Sequence, residues 1–281
     1  MSGFASTLRM AARLSWLETR VSLSSLRMIV LVPIMALFIV GSSWGFADPN
    51  ADLPGGIRAD TPYEVLFLTS LFILFSSTLG VVLVGFDSIS RRRTSGVLAI
   101  EFCQPVNRLI LGTSQLIGTW AAVCIPTFAL SLLGIVLIER QMGAWPSAVE
   151  LGIYFAATAL VLLWYASIQL LASSLARDVG SAVTLGVGTW LLFTMVWLLV
   201  TVVAAALFGV DATNTSDAGF KAFAANVDLL SPNGVYQLLL EARLEGDLSR
   251  PIETWMLILS ATAWTMLPSG AFLWRYSTLN P

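Results

Sequence analysis

The chain has 281 residues, of which 57% are hydrophobic and 11% charged, with a mean hydropathy of +0.82 and a formal net charge of −2. Soluble domains carry about 25% charged residues, and this chain has too little polar surface to cover a water-soluble globule, which disfavours a soluble enzyme, a nucleic-acid binder and a disordered chain. It has no histidine, two cysteines (Cys103 and Cys124) and one lysine, Lys221, which removes the commonest general base, a four-thiolate metal site and a G-x-x-x-x-G-K-[ST] phosphate loop.

Residues 1–27 read as an amphipathic interfacial helix. Phe4, Leu8, Ala11, Ala12, Leu14, Leu17 and Val21 recur at mostly three- and four-residue steps. Arg9, Arg13, Glu18 and Arg20 take other positions, and Trp16 suits an interface. Six apolar spans follow, at 28–46, 63–86, 109–138, 151–175, 180–208 and 254–274. Each reaches the about 20 residues needed to cross a bilayer. They contain no Asp, Lys or Arg, and their one acid, Glu64, lies at an end. The third and fifth are longer than needed and are expected to tilt or project. The fold class is therefore an all-α polytopic membrane protein.

Orientation follows from arginine bias. With the N-terminus cytosolic, the inner pieces hold ten bases and four acids, and the outer pieces five bases and thirteen acids. Both termini are then expected in the cytoplasm, and the chain in the plasma or inner membrane. Trp44, Trp145 and Trp255 at outer ends, and Trp274 with Tyr276 at an inner end, suit aromatic belts. The spans lack mid-depth ionisable groups, which argues against a proton- or sodium-coupled carrier. Ser76, Ser77, Thr78, Gln169, Ser173 and Ser174 read as interhelical glue.

The cytosolic segment 87–108 is the most informative. It opens with Asp87 and the run Arg91-Arg92-Arg93, passes Gly96, turns apolar and closes on Gln104-Pro105-Val106-Asn107-Arg108. Pro105 is expected to stop a short helix over 95–102. An ordinary positive-inside loop would explain the arginines but not the apolar run 97–100. Outside, segment 209–253 contains two helix-like pieces, 220–230 and 235–244, expected to lie on the outer leaflet or cap a cavity.

This segment, with Asp87, Gly96, Pro105, Val106 and Arg108, resembles the permease subunits of ABC-2 type ATP-driven exporters. Ser231-Pro232 with Tyr236 before the last span is similar too. Two features depart from the family pattern: arginines stand where Glu is usual, and the lysine common after the closing Arg is missing near Thr113. In layout the chain looks most like the nitrous-oxide-reductase maturation and gliding-motility permeases. The resemblance implies a type V exporter-like domain with six spans. It implies two copies of a cytosolic ABC ATPase that bind the ATP and Mg, so that this chain has no cofactor and no catalytic residue of its own. It also implies a second permease copy, a homodimer, and export of a substrate. Arg91, Arg92, Arg93, Gly96, Glu101, Gln104, Pro105, Val106 and Arg108 would couple to the ATPase, beside the N-terminal helix. The alternative it leaves open is a mechanotransmission or anchor subunit acting on an extracytoplasmic partner protein.

Overall fold

The computed structural model describes residues 2–48, 59–212, 217–244 and 249–280, with side chains from residue 7 onward. Among the described residues every regular element is helical: α1 (Ser2–Leu23), α2 (Leu26–Ala47), α3 (Pro62–Gly85), α4 (Ser88–Thr94), α5 (Val97–Phe102), α6 (Arg108–Met142), α7 (Ala148–Leu175), α8 (Val179–Leu191), α9 (Trp197–Leu207), α10 (Ala218–Asp228), α11 (Pro232–Glu241) and α12 (Thr254–Ser277). Local sequence explains their limits. Thr61 caps α3 with Pro62 behind it, Asn107 caps α6, and Ser147 with Glu150 forms a reciprocal capping box on α7. Gly143, at φ 68°, ends α6 in a left-handed conformation.

Six helices are long and apolar enough to cross a membrane, the fifth being α8 and α9 joined through a wider π turn, Leu192–Val196. They match the predicted spans to within a few residues. Even numbering puts α1, α4, α5 and the C-terminus at one end, called here the basic end, and α10 and α11 toward the other. At the centre stand α3, α6 and α7; α2 packs on α3 and α6, α12 on α7 and α6, and α8 on α7 and α3. Small residues and hydroxyls make the close approaches. Thr127 Oγ1 donates to Ser77 Oγ at 3.1 Å, and a Cβ on Gly85 would press on Gln169 and Thr119.

Four expectations need correction. First, α1 is held by protein as well as facing the membrane. Ala11, Leu14, Ser15, Glu18 and Thr19 turn toward α6, where Ser114 Oγ donates to Ala11 O at 3.4 Å and the bare Cα of Gly118 admits Ser15 and Glu18. Leu8, Trp16, Leu17 and Val21 stay exposed, and Phe4 lies outside the described side chains. The docking face thus shares only Ala11 and Leu14 with the expected apolar stripe and is completed by Ser15, Glu18 and Thr19. α6 is about 52 Å long at 1.5 Å per residue, and α1 covers part of its surplus.

Second, the helix expected at 95–102 starts at Val97, and an additional helix precedes it. Gly96 adopts φ 76° and breaks the segment, so α4 precedes it and α5 follows. Third, of the two placements expected for the outer pieces, lying flat on the leaflet does not hold for α11. Residues 231–238, which begin α11, are buried throughout. Tyr165 O–H donates to Asn233 Oδ1 at 2.7 Å, and Tyr236 pairs with Thr158 at 3.1 Å. Gln237 Nε2 donates to Ser70 Oγ at 3.2 Å. Tyr165 is ten residues from the basic end of α7, about 15 Å along it, so α11 dips to mid-depth. Fourth, Tyr276 is 1% exposed and packs edge-on to Phe102, 5.5 Å between centroids, rather than joining Trp274 in a belt.

Candidate functional site

The residues following α3 fold into a bracket across the basic end. Asp87 leads it. Ser173 Oγ on α7 accepts from Ile89 N (3.0 Å) and Ser90 N (3.1 Å), satisfying two of the donors that α4 leaves open at its start. Asp87 is buried, and Arg27 of α2 grips it with two parallel bonds of 2.8 Å while also donating to Leu83 O at 2.7 Å. Arg91 meets the same carboxylate at 2.5 Å. Burial alone would push the Asp87 carboxyl up. The Arg27 hydrogen bonds and the charges of Arg27 and Arg91 outweigh it and hold the group below the usual carboxylate range.

The other arginines also find work inside the chain. Arg92 donates to Glu101 of α5 at 2.8 Å and to Glu18 of α1 at 2.7 Å, so one guanidinium ties three helices. Burial disfavours its charge, and the bond and charge of Glu18 more than restore it. Arg93 donates to Ala176 O (3.0 Å) and Ser174 O (3.2 Å), carbonyls that α7 leaves open at its C-terminus. Arg108 does the same after α12, donating to Ser277 O (3.1 Å) and Leu279 O (3.0 Å), and lies 4.3 Å over the Phe102 ring.

The expected site residues therefore separate into two groups. Arg92, Arg93, Glu101 and Arg108 are engaged within the chain, with Val106 partly covered. Arg91, Gly96, Gln104 and Pro105 are exposed, as are Arg9, Arg13, Trp16 and Arg20 on α1. Around them the apolar run noted at 97–100 forms a tip: Ile100 is 67% exposed and Val97 42%, next to exposed Cys103, while Leu98 is fully buried and anchors α5. Arg27 and Glu18, counted in the sequence only for charge, are structural members of the site. Their signal was slight, each lying one residue inside or near a helix end with its partner far along the chain. Among the described residues no group of three His, Cys, Asp or Glu could hold a metal.

Mechanically the bracket is stiff. It is tied to α1 by Arg92, to α2 by Asp87, to α7 by Arg93 and Ser173, and to the end of α12 by Arg108. A push on its exposed tip would reach three spans and α1 without crossing a flexible joint.

A search of curated proteins gives no match. A family model described as ABC-2 family transporter protein matches residues 12–279. With all but the ends of the sequence inside that match, on an all-helical bundle of six membrane-length helices, the chain belongs to the ABC-2 transporter family and is a multi-pass membrane permease.

Proposed function

We propose that this chain is the membrane half of an ATP-driven exporter, worked by a separate ATPase that docks on the exposed tip of α5 and the adjoining faces of α4 and α1. Permeases of this family generally function with an ABC ATPase partner, often as dimers. The observation that carries the reading is the bracket: an apolar tip at Val97 and Ile100, backed by bonds to three spans and to α1. The basic end faces the cytoplasm, as arginine bias dictates. Two ATPase copies bind ATP and Mg and close together. The brackets of two permease copies move with them, and the spans rearrange from inward-open to outward-open. Gln104 contributes a polar contact to the ATPase surface. Arg92, Arg93, Glu101 and Arg108 transmit the motion without touching it. The inward folding of α11 favours export over action on an outside partner, because α11 is spent on packing the bundle.

The test is co-purification from native membranes followed by Ile100→Glu. The wild-type chain should carry an ATPase in equal number. The variant should lose at least about tenfold in association, the cost of burying an unpaired carboxylate at an apolar contact, with unchanged insertion and melting temperature. A variant that retained full association and full ATP turnover would refute the docking surface, and a permease with no ATPase would refute the reading as a whole.

A further inference from the structure

At the basic end a groove of about 380 Å³ lies between α2 and α3. Phe75, Leu79 and Phe86 form its floor, and Val30 and Ile34, both more than 40% exposed, form its outer lip. From Phe75 to Phe86 the helix rises about 16 Å. That is half of the about 30 Å hydrocarbon core, the depth of one leaflet.

Arg27 closes the groove at its basic end. Three of its five N–H donors serve Leu83 O and the two Asp87 oxygens, and among the described residues the other two have no protein acceptor. Asp87 Oδ2 is shared: Arg27 Nη2 reaches it at 2.8 Å and Arg91 Nη2 at 2.5 Å. Two guanidinium groups thus converge on one carboxylate and leave a local surplus of one positive charge. The Arg91 side chain is 63% exposed, so the surplus is open to an incoming anion.

We propose that this groove binds an anionic phospholipid of the inner leaflet, with one acyl chain between α2 and α3 and the phosphate on Arg27 and Arg91. The apolar walls select against a free anion. The paired arginines select against a neutral hydrocarbon, and guanidinium donors match phosphate geometry. Basic pockets between spans on the cytoplasmic side suit anionic headgroups. The proposal goes beyond export and needs no ATPase, so it stands or fails separately.

The experiment is native mass spectrometry of the purified permease with added phosphatidylglycerol or phosphatidylcholine. Phosphatidylglycerol should remain bound while phosphatidylcholine is shed, and millimolar inorganic phosphate should not displace it. Arg91→Gln, which leaves Asp87 paired with Arg27, should weaken retention about tenfold, the worth of one charge-assisted contact. Ile34→Trp should fill the lip and abolish retention at an unchanged melting temperature; Val30→Phe serves the same purpose should Ile34→Trp not fold. Equal retention of both lipids, or full retention in the variants, would overturn the proposal. So would a groove-filling variant that altered only the dimer mass, which would make the groove an interface between copies.

Discussion

Arg92 carries more structure than any other charged residue of the basic end, because its two acceptors come from helices far apart in sequence. Glu18 lies 74 residues away and Glu101 nine. All three side chains are about a quarter exposed, so the pairs are shielded from water only in part and each is worth less than a buried one. Arg92→Ala should destabilise the bundle by about 1–3 kcal/mol, since it also leaves two carboxylates side by side. Adding Glu18→Gln should recover part of that loss. A thermal-unfolding double-mutant cycle with no coupling between positions 18 and 92 would remove Arg92 from the bracket. A loss of ATPase coupling in Arg92 variants therefore reports a broken frame before it reports a lost contact, and Ile100 is the cleaner probe of docking.

At the scale of elements, α1 depends on one small residue. A side chain at Gly118 would collide with Glu18 Cβ and crowd the backbone of Ser15 and Thr19. Gly118→Leu should lift α1 off α6 at a cost of about 1–3 kcal/mol, seen as faster tryptic cleavage at Arg9, Arg13 and Arg20. Unchanged digestion would mean that α1 is held by the membrane alone. The spans were legible in the sequence because absence of charge over 20 residues has few other causes. α11 was legible as a helix but its burial was not, because Asn233 and Gln237 look like surface residues until their partners Tyr165 and Ser70, 68 and 167 residues away, are placed beside them. The bracket was half legible. Its arginines and the helix stop at Pro105 stand out, but the break at Gly96 was not read, and Arg93 and Arg108 bond to backbone carbonyls, which leave no trace in side-chain identity.

For the whole molecule, the two cysteines offer a built-in reporter of topology. Cys103 is exposed beside the α5 tip and Cys124 is buried in α6. A membrane-impermeant maleimide should label Cys103 alone, only from the cytoplasmic face, and bound ATPase should protect it. Labelling from outside would invert the orientation. The fifth span, like the first and the sixth, lies at the outside of the bundle with few of its side chains buried. Gln169 Nε2 donates to Gly186 O at 3.1 Å and Asn233 Nδ2 to Phe193 O at 3.0 Å, the second within the π turn. At the first point the fifth span supplies only a main-chain oxygen; at the second Thr194 Oγ1 adds a side-chain acceptor at 3.3 Å, and elsewhere Trp190 Nε1 donates to Thr78 Oγ1 at 2.8 Å and Trp197 Nε1 to Asp228 Oδ1 at 3.0 Å. The span is thus secured by three of its own letters, Trp190, Thr194 and Trp197, together with partners on α3, α7, α10 and α11, and its outward-facing positions are left free to be set by whatever passes along, or pairs against, its open side.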